Sequence, residues 1–131
     1  MGGLRGLRTV AYVSAAYDLL LAVPLLLAPA ATARLFGLGP PAPLVNAQLN
    51  GLFTLALAAG YLWAARDLEH RRGFLWIAGV LVKGAGAGLF LADHLLRQSP
   101  PLLLAFAASD GTLALLTLAV LLATRRPATP A

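Results

Sequence analysis

Three ionisable side chains lie at nearly the same depth in three separate apolar stretches. Lys83 lies ten residues after Gly73 in GFLWIAGVLVKGAGAGLFLADH, and Asp18 and Asp110 each lie nine residues into another apolar stretch. A helix rises about 1.5 Å per residue, which places each group roughly 15 Å into a hydrocarbon layer about 30 Å thick. Charged groups at that depth usually face the interior of a helix bundle and pair with one another. The sequence therefore predicts one buried Asp18, Lys83, Asp110 cluster.

This cluster predicts a site with a surplus of negative charge. Two carboxylates against one ammonium leave one charge uncompensated when all three groups ionise, so one carboxylate should hold a proton readily. Such a site can bind a cation, couple to proton movement or anchor the polar head of a lipophilic ligand. The alternative is a structural ion pair that fixes the register of the helices. From the sequence, both interpretations stay open.

Further polar residues mark a route outward from the cluster. Asn46 and Asn50 recur at helical spacing with Tyr61, and Tyr17 directly precedes the first acid. A polar stripe on a membrane helix faces other helices. We therefore predict that Asn46, Asn50 and Tyr17 belong with the three charged residues to one ligand-binding or proton-linked site. Its open end is predicted on the outer side, beside His94.

The remaining reactive groups do not complete a metal centre or a catalytic site. His70 and His94 are predicted about a membrane thickness apart, and the chain has no Cys. We therefore predict no metal site and no cofactor. The hydroxyls within the apolar stretches have no His at their depth to act as a base, so an enzyme is the less favoured interpretation. The residues that carry these hydroxyls are Ser14, Ser109, Thr112 and Thr117.

The composition is typical of a membrane protein. Hydrophobic residues make up 60% of the 131 residues and charged residues 11%, whereas about a quarter of the residues of a soluble domain are charged. The net charge of +5 does not indicate nucleic-acid binding, because the Arg residues flank apolar runs and form no basic face. The predicted partner is the lipid bilayer.

Four apolar stretches predict an all-α fold, an integral membrane four-helix bundle that forms a single domain over residues 1–131. The spans are predicted at about residues 9–29, 46–65, 73–95 and 101–123, with a flexible tail at 124–131. A short interfacial helix is predicted over 31–36, and RDLEHRR at 66–72 is predicted as a tight connection. Gly84 and Gly88 predict close helix packing, with a broken helix as the alternative.

The distribution of Arg predicts the orientation of this bundle. Outside the predicted spans, seven Arg lie on the side of both termini and the central connection, and two lie on the other side. By the positive-inside rule, both termini are then cytoplasmic. The abundance of Ala, Leu, Gly and Arg is typical of a bacterial gene of high GC content. We therefore expect a multi-pass protein of the bacterial cytoplasmic (inner) membrane.

Several short segments follow one another along the four predicted spans: Tyr17-Asp18, Asn50-Gly51-Leu52-Phe53, Gly60-Tyr61, Lys83-Gly84 and Ser109-Asp110-Gly111. This arrangement resembles small bacterial four-helix membrane proteins of the DoxX-like group. Some members of that group are accessory parts of membrane oxidoreductase systems. The resemblance therefore implies a connection to a quinone or to a partner membrane enzyme.

Two functions follow from these patterns. The first is an integral membrane binding or accessory protein whose buried Asp/Lys/Asp site receives a lipophilic ligand, quinone-like or lipid, or serves a partner membrane enzyme. The alternative is a small ion- or proton-coupled transporter, which needs polar groups leading from Lys83 to both faces. The cytoplasmic halves of three spans are apolar apart from Ser14 and Thr117, which favours binding. A homo-oligomer or a partner membrane protein is compatible with either function.

Overall fold

A computed structural model describes residues 2–125 of the chain, and this part consists of helices and connecting loops without a strand. Five helices follow in order: α1 (Gly2–Leu27), α2 (Pro29–Leu35), α3 (Leu44–Arg66), α4 (Leu68–Arg97) and α5 (Pro101–Ala123). Within α4, residues 75–82 have π-helical hydrogen bonding, and α5 opens with a single 3-10 turn. The prediction of an all-α fold is confirmed.

Three of the helices, α1, α4 and α5, are long and apolar enough to cross a membrane. Helix α3 has 23 residues, which is sufficient length for a span of about 20. It is less apolar than the other three because Asn46, Gln48 and Asn50 lie near its start. The described part of the chain therefore has the helices of a membrane protein, with α3 as its most polar long helix.

Two helices begin at least five residues earlier than the predicted spans. Helix α1 begins at residue 2, where 9 is predicted, and α4 begins at residue 68, where 73 is predicted. The connection predicted over 66–72 is mostly helical: only Asp67 interrupts the helix, followed by a kink at Arg71. Asp67 Oδ1 lies 2.9 Å from His70 Nδ1. This i, i+3 contact stabilises the first turn of α4, so polar residues that resemble a loop in sequence form a helix start.

Proline and glycine set the limits of the short helix α2. Pro29 suits its first turn because proline has no backbone N–H to leave unpaired. Gly37 follows the helix with φ of +76°, a left-handed conformation that glycine adopts without strain. Helix α2 lies where the interfacial helix over 31–36 is predicted.

The C-terminal end of α5 is held by a contact to α4. The carbonyl oxygen of Thr124 accepts a hydrogen bond of 2.9 Å from Arg72, and the Thr124 hydroxyl also contacts this guanidinium. Thr124 is therefore tied to the bundle, contrary to the prediction of a flexible tail over 124–131. Residues 126–131 of that predicted tail lie outside the described residues.

The buried core lies at the end of the bundle that contains the start of α1. All four long helices contribute buried apolar side chains to it: Leu7, Ala11, Ala15, Tyr61, Ala65, Leu75, Ala78 and Leu121. The outward surfaces of the same helices are also apolar, with Leu20, Leu81, Leu89 and Leu115 exposed. A soluble bundle would carry polar residues there, whereas lipid-facing helices carry apolar ones.

Helix α4 is continuous through its glycine-rich segment. A Cβ on Gly84 would lie 3.8 Å from Ala114 of α5, so this glycine faces a neighbouring helix. A Cβ on Gly88 would meet no atom within 4 Å. The prediction of close packing therefore applies to Gly84 and is wrong for Gly88, and the broken-helix alternative is contradicted by the unbroken helix Lys83–Arg97.

Candidate functional site

The structure brings Asp18, Lys83 and Asp110 together, with one residue each from α1, α4 and α5. Lys83 Nζ donates a 2.7 Å hydrogen bond to Asp18 Oδ1 and lies 3.5 Å from Asp110 Oδ1. Asp18 is 2% exposed and Lys83 is 4% exposed, whereas the Asp110 side chain is 16% exposed. The lysine therefore holds one acid tightly and the other, more accessible acid loosely.

Lys83 is the first residue after the π-helical stretch of α4. That stretch covers Leu75–Val82, and regular α-helix resumes at Lys83. Wider π turns change the angular position of the residues that follow, and they are often found at functional sites. The direction in which Lys83 points is therefore set by a feature that regular 3.6-residue periodicity does not predict.

Aromatic and hydroxyl groups surround the ammonium. Lys83 Nζ lies 4.8 Å from the ring centroid of Tyr17 and 5.7 Å from that of Tyr61, distances at which a ring face attracts a cation. The Tyr17 and Ser109 hydroxyls share a hydrogen bond of 2.6 Å. This bond links α1 to α5 next to Asp110.

One buried carboxylate oxygen of the cluster, Asp18 Oδ2, has no hydrogen-bond partner among the described residues. The buried hydroxyls of Ser14 and Tyr61 lie nearby and face each other. Ser14 lies one turn before Asp18 on α1, and Ser14 and Tyr61 are completely buried. Buried polar atoms are usually hydrogen-bonded, and those that are not often mark a site with a further occupant. Acceptor capacity is therefore in excess around Lys83.

A cavity of about 790 Å³ opens on the side of the cluster away from the core. Its floor contains Tyr17 and the three charged side chains. Its walls are mainly apolar and include Leu21, Leu25, Phe53, Leu57, Phe90 and Phe106. Ligand cavities of this size typically combine apolar walls with a few polar groups that orient the ligand.

Helix α2 and the loop after it line the cavity on the side opposite the core. Thr32 and Ala33 come from this helix, Phe36 directly follows it, and residues 38–41 belong to the loop. The Phe36 and Phe106 ring centroids are 4.6 Å apart, and those of Phe106 and Phe90 are 5.2 Å apart. The second pair is stacked and the first is tilted, and together the three rings connect the end of α2 to α5 and α4. An aromatic wall therefore extends from the middle of the bundle to its open end.

All six residues predicted for the site line this one cavity: Tyr17, Asp18, Asn46, Asn50, Lys83 and Asp110. His94, predicted beside the open end, is not among the lining residues. Its Nδ1 donates a hydrogen bond of 2.8 Å to the carbonyl oxygen of Ser99. His94 therefore stabilises the turn between α4 and α5, because its ring is already engaged by the backbone.

The aromatic wall is the part of the site that was missed by sequence reasoning. Phe90 lies seven residues after Lys83, and Phe106 lies four residues before Asp110. Both spacings place the ring on the same helix face as the charged residue. This spacing is visible in the sequence, but the sequence analysis places position 36 only in the interfacial helix predicted over 31–36 and gives the other two rings no role.

Within the described residues, no group of three His, Asp or Glu side chains is arranged to hold a metal ion. The hydroxyls of Thr112 and Thr117 donate to the carbonyl oxygens four residues earlier in their own helix, each at 2.7 Å. Such bonds satisfy hydroxyl groups inside membrane helices.

Neither a family model, nor a curated protein, nor a solved structure matches this chain. The resemblance to the DoxX-like group therefore stays a prediction, and the function is argued from the site itself.

Proposed function

We propose that this protein is an integral membrane binding protein whose cavity receives a lipophilic ligand with a polar head. The observation that carries the proposal is a charged floor beneath apolar walls in a single cavity of about 790 Å³. The head would lie on Asp18, Lys83 and Asp110, and the apolar part would extend between Phe90 and Phe106. A quinone-like molecule or a lipid has this division of polarity. The resemblance to the DoxX-like group implies that such a binding protein serves a partner membrane enzyme as an accessory protein.

We further propose that α3 crosses the membrane with α1, α4 and α5, giving a four-helix bundle. The packing of α3 supports this. A Cβ on Gly51 would lie 3.0 Å from Leu25 and Leu26, so α3 approaches the backbone of α1 closely. Near its other end, Tyr61 of α3 makes an edge contact with Phe74 of α4 at 5.3 Å. A helix packed along its length between two spans shares their depth in the bilayer.

The distribution of Arg supports an orientation with both termini in the cytoplasm. At the end that contains the start of α1, the described Arg residues are Arg5, Arg8, Arg66, Arg71, Arg72 and Arg125. Arg71 lies 4.3 Å from the ring centroid of Trp63, and Arg125 lies 5.7 Å from that of Trp76. Trp and Arg together are typical of a membrane interface on the cytoplasmic side. This orientation fits a protein of the bacterial inner membrane.

The closed end of the bundle supports binding over transport. Between the charged cluster and the cytoplasmic end, Leu7, Ala11, Leu75 and Leu121 fill the interior. A transport pathway needs polar groups on both sides of its central site. On the core side, the buried polar residues Ser14, Tyr61 and Thr117 lie near the cluster and are followed by apolar side chains. The continuous polar lining is therefore on the cavity side, so a ligand can enter and leave through the same opening.

A blocked cavity tests the proposal. Gly86 lines the cavity, and a Cβ there would meet only Asp110 Oδ2, at 3.8 Å. The Gly86→Leu variant therefore places a side chain in the cavity. Gly88 lies on the same helix, does not line the cavity and has open space around its Cβ, so Gly88→Leu is the matched control.

The measurement is native mass spectrometry of each protein extracted directly from cell membranes into lipid nanodiscs. We expect wild type and Gly88→Leu to carry the same lipophilic molecule and Gly86→Leu to lose at least nine-tenths of it, which requires a loss of binding free energy of at least about 1.4 kcal/mol. Equal occupancy in Gly86→Leu, or a wild type without a bound molecule, would contradict the proposed function.

A further inference from the structure

We infer that the head of the ligand is cationic, such as a protonated amine, and that the site discriminates against carboxylate and phosphate heads. This inference rests on the proposed function and names the ligand class of the same cavity. It depends on three properties of the cavity floor: its charge, its unpartnered acceptor and its aromatic surroundings.

When all three charged groups of the floor are ionised, its formal charge is −1. Two carboxylates and one ammonium line it, and Lys83 is the sole Lys or Arg among the described residues that line the cavity. Lys83 hydrogen-bonds Asp18 at 2.7 Å and pairs more loosely with Asp110 at 3.5 Å, so Asp110 is the acid with more capacity left for another cation. An anionic head would place a third negative charge within a few ångströms of the two carboxylates. Repulsion between like charges is strong in a low-dielectric site, so such a ligand is strongly disfavoured.

The floor also has hydrogen-bond acceptors to spare. Asp18 lines the cavity and is only 2% exposed, yet its Oδ2 has no partner among the described residues. Asp110 is the acid more accessible from the cavity. A charged acceptor without a donor favours a ligand that brings N–H groups, because such charge-assisted bonds are about twice as strong as neutral ones. A protonated amine supplies both the donors and the missing positive charge.

The aromatic rings favour the same sign of charge. Tyr17, Phe53, Phe90 and Phe106 all line the cavity. The faces of aromatic rings attract cations, and Lys83 Nζ already lies 4.8 Å from the Tyr17 centroid. Rings around an anion would not provide this attraction. Charge, acceptors and rings therefore select the same class of ligand, a lipophilic organic cation.

A series of three probes with one apolar body isolates the effect of head charge. Pyrenebutylamine is cationic near neutral pH, pyrenebutanol is neutral and pyrenebutyrate is anionic. Binding is measured by equilibrium dialysis against wild-type protein in nanodiscs, with empty nanodiscs of the same lipid subtracted. We expect the amine to bind at least tenfold more tightly than the alcohol and the carboxylate to bind most weakly.

Variants then assign the preference to the cluster. Asp110→Asn should reduce the preference for the amine over the alcohol at least fivefold. The control is Asp93→Asn, which removes an acid at the outer end of α4 that pairs with exposed Arg97 at 3.0 Å; it should leave the preference unchanged. The wild-type series alone decides the inference if Asp110→Asn does not fold.

The outcomes separate this inference from the proposed function. If the alcohol or the carboxylate binds as tightly as the amine, and Gly86→Leu abolishes that binding, the cationic head is refuted while the binding function stands. If no probe binds above empty nanodiscs, both the inference and the proposed function are refuted. Retention of the full amine preference in folded Asp110→Asn would also overturn the inference.

Discussion

Lys83 of α4 and Asp18 of α1 form a hydrogen-bonded ion pair of 2.7 Å, and both side chains are at most 4% exposed. They are separated by 65 positions in the chain. Removing two charges from water is expensive, and replacement of a buried ion pair by apolar residues is often neutral or stabilising. Stability alone therefore does not explain why this pair lies inside an apolar bundle. A role of the pair in the floor of a ligand-binding cavity does explain it.

Removal of the lysine charge should destabilise the protein. In Lys83→Met, both acids lose their cation while they remain buried. Breaking a buried pair in this way costs about 3 to 5 kcal/mol, although polar contacts measured inside membranes average only about 0.6 kcal/mol. We expect a loss between these limits, measured by reversible unfolding in mixed micelles.

The matched control for this loss is Arg97→Met, which breaks an exposed pair with Asp93 on the same helix. Exposed pairs contribute about 0 to 1 kcal/mol. A loss in Lys83→Met no larger than that in Arg97→Met would show that the buried pair is not important for the fold.

The proposed orientation can be tested by labelling, because the chain has no native Cys. A Cβ at Gly2 or at Gly39 meets no atom within 4 Å, so Cys is accommodated at both positions. In intact cells, we expect a membrane-impermeant maleimide to label Gly39→Cys and to label Gly2→Cys only after permeabilisation. Labelling of Gly2→Cys in intact cells would place the N-terminus outside.

Close packing of α3 on α4 predicts a large effect of one methyl group. A Cβ on Gly60 would overlap the ring of Phe74, which packs against the buried core. Overpacking typically costs 1 to 3 kcal/mol, and alanine regains up to about 1 kcal/mol inside a helix, so we expect Gly60→Ala to lose about 1 kcal/mol of unfolding free energy.

Gly73→Ala is the control, because its Cβ would meet no atom within 4 Å and alanine favours a helix by up to about 1 kcal/mol over glycine. The two variants should therefore differ in sign. Equal unfolding free energies for the two would show that α3 and α4 are less closely packed at this point.

The connection between α3 and α4 predicts a local pH dependence. The hydrogen bond from His70 holds the pKa of the exposed Asp67 carboxyl below its usual range. Any stabilisation from this contact is present above the unfolded-state pKa of about 3.9 and is lost as the pH falls through the lower folded-state pKa. We expect His70→Ala to raise the Asp67 pKa, measured by carboxyl carbon chemical shifts during acid titration. An unchanged pKa would mean that His70 does not set it.

Depth along apolar stretches was sufficient to predict which charges meet. Asp18, Lys83 and Asp110 occupy comparable positions in their helices, and inside lipid a charge has few partners other than another charge at its own level. The same reasoning places Asn50 and Tyr17 beside the cluster, because both lie on helices that must present their polar face to the interior.

Features that depend on local geometry could not be predicted in this way. The π-helical stretch before Lys83 gives no signal in apolar periodicity, and the helix start after Asp67 is hidden by polar residues. The role of His94 depends on the turn that brings the Ser99 carbonyl oxygen to its ring. These are tertiary outcomes of single contacts, which spacing along the chain does not encode.

The most direct test of the central claim, that the charged cluster is the floor of a ligand site, is occupancy in a variant without the cluster. In the triple variant Asp18→Asn, Lys83→Met, Asp110→Asn, no buried charge is left unpaired, so we expect unfolding stability above that of Lys83→Met. Native mass spectrometry from nanodiscs should then show a folded protein that has lost the molecule carried by wild type. A folded triple variant that carries the same molecule at wild-type occupancy would contradict a ligand-binding role for the cluster.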